Sequence, residues 1–375
     1  MGVLFDALLL EGPRSGVEVS VAETGRALVE AAGASRDLAP EDLTFACRGS
    51  LVAKEEWLES ARTLRAPAWA VGRAGRILAE QLWLPRAGRH HAVLHGPAYV
   101  LPLGWRGASV VTVYDLVALA HPQWTKRSNA LHYGFVLPRS VRKADVVVVP
   151  SKIVREEVME LLGVPEERIR VLPLGVRDVF RQPPAPGEVE DFRTRFSLER
   201  PFFAVVGNIE PKKNIAGTLR AFEIAALRVP HDLVIAGRKG WRCERDLAAL
   251  EGSPLRDRVR VVGRLSDGNL RCLYHACTAL VQWSLYEGFG LVPLEAMACG
   301  AVVVVSTGGA LPETAGPGAR RVALGDPAEL AEALVVLAQH ESIRRTLVAD
   351  GLRWSRQFTW RGHAEALLGI YRDLA

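Results

Sequence analysis

The sequence contains few cysteines, and they form no recognisable metal-binding pattern. Five occur in 375 residues, an odd number, and their spacings match no zinc motif. They are Cys47, Cys243, Cys272, Cys277 and Cys299. We therefore expect free, partly buried thiols in a reducing compartment.

Long apolar runs and a strong charge excess are also missing. Residues 3–10 are apolar, but Asp6 interrupts them and they are too short to span a membrane. No basic segment precedes them, as it would in a secretory leader. The 47 basic and 42 acidic residues give a net charge of +5, which makes no strong case for nucleic acid binding. We expect a cytoplasmic globular enzyme.

What the sequence does have is an alternation of short apolar runs and helical patterns along the whole chain. Residues 3–10 predict a first buried strand, and a helical pattern over residues 19–32 follows a glycine-containing loop. This alternation predicts an α/β protein built from two Rossmann-like domains with parallel sheets. The proline-rich residues after Arg181 interrupt it and indicate a linker. The predicted division is a first domain over 1–180, a linker over 181–198, a second domain over 199–357 and a closing helix over 358–375.

One stretch, residues 284–316, combines several features of an anion-binding site. Glu287 lies in a glycine-containing loop, and a short predicted helix over residues 291–299 carries Glu295 about one turn inside it. The N-terminus of such a helix offers free N–H groups and the positive end of its dipole. The alternative is an ordinary βαβ unit that uses its glycines for turns. The loop residues that would contact a ligand are Glu287, Gly288, Phe289, Gly290 and Leu291.

Two further strand ends in the second half carry glycine or cationic residues. Gly207 follows a predicted strand, with Lys212 and Lys213 a few positions later, and Gly263 and Arg264 end another. Because the carboxyl ends of parallel strands meet at one edge of the sheet, these residues can converge on one ligand. A lysine pair suits a diphosphate, and a solvated lysine pair is the alternative.

The first half supplies weaker candidates. Gly16 lies in the first strand-to-helix loop and lets the backbone approach a phosphate, or it serves a plain turn. His95, Tyr114 and Asp115 each end a short apolar run, where ligands are found in open α/β sheets. A structural role is the alternative for His95.

Residues 54–84 have a helical pattern and overlap a basic stretch. Residues 62–89 contain six arginines and one acid, Glu80, together with Trp69 and Trp83. A basic, tryptophan-bearing helix can lie on an anionic membrane. The favoured interpretation is a solvated helix face whose tryptophans pack in the core.

These motifs together resemble the retaining glycosyltransferases of family 4, in their mannosyltransferase-like branch. Glu287 and Glu295 are separated by seven residues, as are the two glutamates of that family's signature. Residues 207–214 resemble its phosphate-binding segment, and residues 80–85, 94–97, 112–116 and 121–123 resemble its acceptor domain.

The resemblance implies a GT-B fold, in which two Rossmann-like domains face each other across a cleft. It implies transfer of a sugar, a hexose such as mannose, from a nucleotide-diphosphate sugar with retention of anomeric configuration. The donor's nucleotide is GDP, UDP or dTDP, and the acceptor is a glycan, a lipid-linked sugar or a small molecule. The enzyme would meet its acceptor in the cytoplasm or at the inner face of the membrane, with weak peripheral contact. No metal cofactor is expected, which suits the absence of an Asp-x-Asp motif.

The same resemblance assigns a role to each candidate. Lys213, Lys212, Gly16 and the helix start at Gly290 hold the diphosphate, and Gly263 and Arg264 line the base. Glu295 accepts the ribose hydroxyls, whereas Glu287 binds the sugar and faces the positive charge at the anomeric carbon. Asp115 is an alternative general base. Tyr114 stands where the family usually has a histidine that faces the transferred sugar, and this departure puts the donor sugar or full activity in doubt.

Two other functions fit the same motifs. A nucleotide-sugar epimerase or hydrolase of GT-B-like fold would share the nucleotide site without an acceptor. A non-catalytic nucleotide-sugar-binding subunit is the other, suggested by Tyr114.

Overall fold

The computed structural model describes residues 2–10, 16–34, 39–52 and 54–375. The chain divides into two compact units. Unit 1 comprises residues 1–120, 127–175 and 359–375, and unit 2 comprises residues 121–126 and 176–358. None of the helices in the described ranges combines the length and the apolar character that crossing a bilayer requires.

Unit 1 is built on a seven-stranded sheet in which every paired strand is parallel. The strand order is β3-β2-β1-β4-β5-β6-β7, so the order reverses direction between β1 and β4. The strands are β1 (Val3–Asp6), β2 (Leu43–Cys47), β3 (Arg62–Arg65), β4 (Val93–Gly96), β5 (Ala108–Thr112), β6 (Val146–Val149) and β7 (Ile169–Val171).

Helices cover this sheet, as parallel strands require. Those before the second unit are α1 (Gly16–Ala34), α2 (Gly49–Val52), α3 (Gly72–Leu78), α4 (Leu84–Ala87), α5 (Val117–Ala120), α6 (Arg127–Lys143) and α7 (Lys152–Leu162). A π-helical turn, Ala79–Trp83, joins α3 to α4.

Two expectations for unit 1 were wrong in their local structure. The first strand is shorter than residues 3–10, because the Asp6 side chain accepts a hydrogen bond from the backbone N–H of Leu8 and the chain turns there. Residues 54–84 are not continuously helical, since β3 lies within them. β3 is an edge strand with exposed arginines at both ends, so it lacks the apolar run that identifies buried strands.

Unit 2 repeats this architecture with a six-stranded parallel sheet in the order β10-β9-β8-β11-β12-β13. Its order reverses between β8 and β11. The strands are β8 (Phe202–Val206), β9 (Asp232–Ala236), β10 (Val259–Val261), β11 (Ala279–Gln282), β12 (Val303–Ser306) and β13 (Ala319–Val322). The predicted fold class, α/β with two parallel-sheet Rossmann-like domains, is confirmed.

The helices of unit 2 are α8 (Glu188–Arg195), α9 (Ile215–Ala225), α10 (Glu244–Glu251), α11 (Asp267–Ala276), α12 (Leu291–Ala298), α13 (Leu311–Ala315), α14 (Pro327–Gln339) and α15 (Glu341–Ser355). α8 lies within the residues expected to form a linker and belongs to unit 2. The last helix, α16 (Trp360–Leu374), packs against α1 in unit 1.

One six-residue segment belongs to unit 2, although the residues on both sides of it in sequence belong to unit 1. Residues 121–126 form part of unit 2. There the indole N–H of Trp241 donates to the carbonyl oxygen of Trp124 at 2.7 Å, and the guanidinium of Arg242 donates to that of Gln123 at 3.0 Å.

In open parallel sheets, ligands bind beyond the carboxyl ends of the two strands where the order reverses. In unit 2 these strands are β8 and β11. The loop after β8 carries Lys212 and Lys213, and the loop after β11 carries Glu287. The fold therefore brings together two of the segments that the sequence singled out.

Candidate active site

The carboxylate of Glu287 is the centre of the site in unit 2. The residue is only 8% exposed, and hydrogen bonds to its carboxylate replace the solvent that burial removes. The side-chain amide of Gln282 and the hydroxyl of Ser284 each donate to its Oε1 atom at 2.8 Å. Both donors are buried, so they fix the carboxylate and satisfy it inside the protein.

Two lysines from the loop after β8 face the same carboxylate. The ammonium of Lys213 donates to Glu287 Oε1 at 2.5 Å, and that of Lys212 lies 3.6 Å from Oε2. The two loops are also joined through their backbones, because the N–H of Leu285 donates to the carbonyl oxygen of Lys212 at 2.7 Å. Two positive charges thus meet one negative charge at the β8–β11 reversal.

These cations determine the protonation state of Glu287. Burial alone raises the pKa of a carboxyl group. The charges of Lys213 and Lys212 and the hydrogen bonds from Lys213 and Ser284 outweigh that effect and lower the pKa of Glu287 to about 2. Glu287 is therefore a carboxylate throughout the physiological pH range.

Glycines behind the Glu287 loop allow the loop to lie close to the next strand end. A Cβ on Gly309 would lie 2.3 Å from the carbonyl oxygen of Glu287, and the φ of Gly309 is +58°. A Cβ on Gly308 would lie 2.4 Å from the carbonyl oxygen of Leu285. The N–H of Ala310 donates to the carbonyl oxygen of Glu287 at 2.8 Å. Larger residues at either glycine would displace the loop.

Gly207 has a similar role toward Lys213. Its φ is +141°, and an added Cβ would lie 3.0 Å from the Cε atom of Lys213. Gly207 therefore leaves room for the lysine stem beside the end of β8.

Glu295, the second glutamate, has a cationic partner that the sequence did not reveal. Its Oε1 atom lies 3.3 Å from the guanidinium of Arg177, which also binds Asp267 at 2.7 Å. The guanidinium lies over the ring of Phe180 at 4.7 Å. Arg177 thus links Glu295 on α12 to Asp267 at the start of α11.

The residues between the two glutamates serve the loop and the helix start. Gly290 caps α12 with a φ of +113°, and Leu291 is the first helical residue. Gly288 is buried, and the ring of Phe289 packs edge-on against Phe358 at 6.0 Å. Phe289 is therefore held by packing within unit 2.

Gly263 lies at a cavity beside the end of β10, and Arg264 follows it in the chain. Gly263 has a φ of +73° and lines the cavity, whose volume is about 450 Å³, whereas Arg264 is exposed. The other lining residues are Ile209, Gly237, Arg238, Lys239, Leu247, Leu250, Glu251, Arg256, Val259 and Val261.

The candidate residues Gly16, Tyr114 and Asp115 belong to unit 1, and the contacts described below for Tyr114 and Asp115 are with residues of the same unit. Gly16 begins α1, and nothing lies within 4 Å of an added Cβ there. Tyr114 is buried and packs edge-on against Tyr99 at 5.8 Å; burial, followed by the charge of Glu18, raises the pKa of its hydroxyl. The carboxylate of Asp115 accepts from the backbone N–H of Val117 at 3.2 Å. Tyr114 is therefore a neutral hydrogen-bonding group.

His95 is a structural residue. It is fully buried, and its Nδ1 and Nε2 atoms share hydrogen bonds with the Tyr371 hydroxyl at 2.5 Å and the Thr112 hydroxyl at 2.8 Å. Burial, reinforced by the nearby His363, lowers the pKa of His95 to about 3. The imidazole is thus a neutral link between β4, β5 and α16.

Two family models match the chain. The model described as "Glycosyl transferases group 1" matches residues 188–351, and "Glycosyltransferase Family 4" matches residues 14–179. Together they account for most of both halves. The chain belongs to the family 4-like glycosyltransferases. It is therefore an enzyme, and the predicted family is confirmed.

Curated relatives of this glycosyltransferase include mannosyltransferases. The O-antigen chain mannosyltransferase B of Escherichia coli is 28% identical over 297 residues, which cover 78% of this chain and 77% of that protein. The serotype-specific mannosyltransferase WbdA of Escherichia coli is 28% identical over 291 residues, or 75% of this chain. That relative is longer, and the match covers 36% of it.

Solved structures share the fold of the glycosyltransferase. The Anabaena protein Alr3699/HepE in complex with UDP has a TM-score of 0.74 at 16% identity, with 100% of both chains covered. WaaG, a glycosyltransferase involved in lipopolysaccharide biosynthesis, has a TM-score of 0.73 at 16% identity and covers 98% of this chain and 99% of its own. These likenesses confirm the GT-B fold.

The sequence motifs did not identify several residues of the site in this glycosyltransferase. Gln282 and Ser306 end strands and have no motif of their own, although the Ser306 hydroxyl donates to the carbonyl oxygen of Ser284 at 2.5 Å. Gly308 and Gly309 follow a buried strand, and this pair of glycines could have indicated that another loop lies close to the backbone there. Arg177 follows a short strand and turn, and nothing in its spacing indicated Glu295.

Proposed function

We propose that this enzyme transfers a hexose from a nucleotide-diphosphate sugar to an acceptor hydroxyl, with retention of anomeric configuration and without a metal ion. The observation that supports this proposal is the contact of Lys213 and Lys212 with the buried carboxylate of Glu287 at the β8–β11 reversal. The remaining assignments are those that the resemblance to family 4 glycosyltransferases implies.

The lysine pair is suited to a diphosphate. Two ammonium groups face the carboxylate of Glu287 in a partly buried pair of loops. On donor binding, the ammonium groups would share their protons with the phosphate oxygens. Each charge-assisted hydrogen bond contributes about 1.5–3 kcal/mol, so a few of them stabilise a departing diphosphate. The N–H groups at Leu291 and the backbone at Gly16 would add to them.

Glu287 is suited to a developing cation. Because its pKa is lowered to about 2, it carries a full negative charge when positive charge develops at the anomeric carbon. It would also accept hydrogen bonds from the hydroxyls of the sugar. Glu295 would accept the ribose hydroxyls while Arg177 holds its Oε1 atom, and the base would lie beside Gly263 and Arg264.

On the acceptor side, the candidate residues are Tyr114 and Asp115. Tyr114 would donate a hydrogen bond to the transferred sugar in place of a histidine. The departing phosphate would take the proton of the acceptor hydroxyl, with Asp115 as the alternative base. The curated relatives named as mannosyltransferases favour mannose, and hence a GDP-linked donor, over UDP- and dTDP-linked sugars. We place the reaction in the cytoplasm, with a glycan, a lipid-linked sugar or a small molecule as the acceptor.

The experiment is an incubation of the purified enzyme with radiolabelled GDP-mannose, UDP-glucose and a dTDP-hexose, with octyl α-mannoside and manno-oligosaccharides as acceptors. Chelator is present throughout, and the linkage of the product is read by NMR. We expect an α-linked product from one donor. Free sugar, an epimer or binding without turnover would overturn the proposal, and each would indicate one of the two other functions. An inverted linkage or a need for added metal would refute those parts of it.

A further inference from the structure

The ion pair between Arg177 and Glu295 lies near the start of the helix that follows the Glu287 loop. Glu295 is on α12, about one turn inside its N-terminus, and helical side chains lean toward that end. A guanidinium nitrogen of Arg177 lies 3.3 Å from Oε1 of Glu295, and the two side chains are only 16% and 8% exposed. The attraction between them is therefore screened less than that of a surface pair.

The guanidinium of Arg177 is held by three different groups. Its Nη1 atom donates to the carboxylate of Asp267 at 2.7 Å, while its Nη2 atom donates to Glu295 at 3.3 Å. Its centre lies over the ring of Phe180 at 4.7 Å. Because a guanidinium is planar and rigid, these contacts fix the direction in which Nη2 points.

The chain segment that carries Arg177 is itself anchored within unit 2. The N–H of Val176 donates to the carbonyl oxygen of Phe358 at 3.0 Å. The thiol of Cys299, at the end of α12, donates to the carbonyl oxygen of Phe180 at 3.2 Å. This segment and α12 are therefore fixed relative to each other, and the ion pair is in place before a ligand binds.

A purely structural ion pair is the alternative interpretation. Pairing with one N–H group uses only part of the capacity of Glu295, because a carboxylate can accept about four hydrogen bonds. A carboxylate held in one orientation binds two neighbouring hydroxyl groups better than a mobile one does, since less freedom is lost on binding. The 2′ and 3′ hydroxyls of a ribose are such a pair, whereas a 2′-deoxyribose offers only one of them.

We propose that Arg177 is a positioning residue, which holds the carboxylate of Glu295 in the orientation that accepts both ribose hydroxyls of the donor. The consequence is selection of ribonucleotide donors, GDP- or UDP-linked, over dTDP-linked sugars, which lack the 2′ hydroxyl. The inference rests on the proposed function, since Glu295 meets a ribose only in a nucleotide-sugar site. It goes further by giving this selectivity to a residue that touches neither the donor nor the acceptor.

The test is isothermal titration calorimetry of the full-length enzyme with GDP and UDP and with the 2′,3′-dideoxy analogue of each. We expect the parent to bind its preferred ribonucleotide about ten-fold more tightly than the matching dideoxynucleotide. Arg177→Ala should weaken binding of the ribonucleotide about five-fold or more and change that of the dideoxynucleotide less than about two-fold. An equal loss for both nucleotides, or no loss for either, would overturn the proposal.

Arg271 provides a matched control. Its side chain is 14% exposed, close to the 16% of Arg177, and its guanidinium donates to the carboxylate of Glu188 at 2.8 Å. Arg271→Ala should therefore remove a similar ion pair of unit 2 without changing the preference for ribose. A loss of that preference in the control as large as in Arg177→Ala would refute the assignment.

Two further variants keep the test decisive if Arg177→Ala folds poorly. Arg177→Lys keeps the positive charge but loses the fork that reaches two carboxylates, so it should lower the preference for ribose about three-fold. Glu295→Gln should abolish the preference, and adding Arg177→Lys to it should cause no further loss. Additive losses would show that Arg177 acts independently of Glu295 and would refute the proposal.

Initial rates of transfer separate this inference from the proposed function. The ribose does not change during the reaction, so its contacts stabilise the ground state and the transition state equally. Arg177→Ala should therefore raise the KM for the donor about five-fold and change kcat less than about two-fold. A fall in kcat at unchanged KM would overturn the positioning role.

The parent enzyme distinguishes the remaining outcomes. A parent that binds no nucleotide would overturn both the inference and the proposed function. Ribose-selective binding without transfer would contradict only the proposed function. Nucleotide binding with no preference for ribose would overturn the inference alone.

Discussion

The two units reverse their strand order in the same way, but they treat the residues at the reversal differently. In unit 2, Glu287 is buried and charged, because two lysines compensate it. In unit 1, β1 ends in Asp6 and β4 carries His95, and burial raises the pKa of Asp6 and lowers that of His95. Both changes favour the neutral form. The same architecture thus favours the charged form of the carboxyl group at the reversal in unit 2, and shifts the two groups of unit 1 toward their neutral forms.

The difference indicates which unit can stabilise charge that develops in a ligand. An ion pair held in place before the reaction can stabilise charge that develops in a ligand. A neutral, hydrogen-bonded histidine cannot, but it fixes strands and helices relative to one another. The ion pair of unit 2 is therefore the feature that the proposed donor activation would use, whereas the hydrogen bonds of His95 support the framework of unit 1.

The largest expected effect comes from removing a charge in unit 2. Lys213→Ala removes the ammonium that lies 2.5 Å from Glu287. In the proposed site, a bound diphosphate would lose one of its two lysine partners. We expect turnover to fall by about ten-fold or more, which corresponds to one charge-assisted hydrogen bond. Initial rates of nucleoside diphosphate release measure it. The control is Lys152→Ala, an exposed lysine of α7. A folded Lys213→Ala enzyme with normal rates would contradict the site.

A second prediction concerns the backbone that supports Glu287. Gly309→Ala places a Cβ against the carbonyl oxygen of Glu287 at a φ of +58°, so it should destabilise the fold by about 1–3 kcal/mol and lower activity. Thermal unfolding and initial rates measure the two effects. Gly268→Ala on α11, where an added Cβ meets nothing within 4 Å, serves as the control. Equal behaviour of the two variants would show that the loop tolerates displacement.

A third prediction concerns how the free energy of unfolding depends on pH. Glu80 is buried near Asp6; burial, followed by the charge of Asp6, raises its pKa. The folded protein keeps a proton that the unfolded chain releases near about pH 4, so the free energy of unfolding falls as pH rises from there toward the raised pKa. Glu80→Gln removes this titration and should flatten the fall.

Urea unfolding between about pH 5 and about pH 8 provides the measurement for this prediction. Glu160→Gln, at an exposed position on α7, should keep the parental slope. If Glu80→Gln kept that slope as well, Glu80 would not be the group that holds the proton.

The smallest effect should come from removing the hydrogen bond between Tyr371 and the neutral imidazole of His95 in unit 1. Tyr371→Phe removes the hydroxyl that lies 2.5 Å from His95 Nδ1, at a cost of about 1 kcal/mol for one buried hydrogen bond. Chemical unfolding measures it, and activity per folded molecule should not change. A large loss of activity with unchanged stability would instead place His95 in the chemistry.

The sequence was sufficient for the features that depend on short-range pattern. Apolar runs located most strands, and the motifs around Glu287 and the lysine pair singled out the residues of the site. The ion pair between Glu287 and Lys213 was not predicted. The sequence was insufficient where a residue acts through a partner far away in the chain. Arg177 reaches Glu295 across 118 positions, and Tyr371 reaches His95 across 276.

The edge strand β3 and the segment 121–126 illustrate a second limit. β3 carries arginine at both ends, so its composition suggested a solvated helix, and only pairing with β2 makes it a strand. Residues 121–126 lie between two unit 1 segments in sequence, and only contacts such as that of Trp241 with Trp124 place them in unit 2. Neither fact is encoded in local periodicity.

The path of the chain between the units has a genetic consequence. The chain leaves unit 1 at residue 175 and returns to it at residue 359, so the last seventeen residues complete the unit with which the chain begins. A nonsense mutation just after Phe358 would leave every residue of unit 2 in the product. It would nevertheless strip α16 from α1 and Tyr371 from His95. Truncation after Phe358 would therefore damage unit 1, although all the residues of unit 2 precede the truncation.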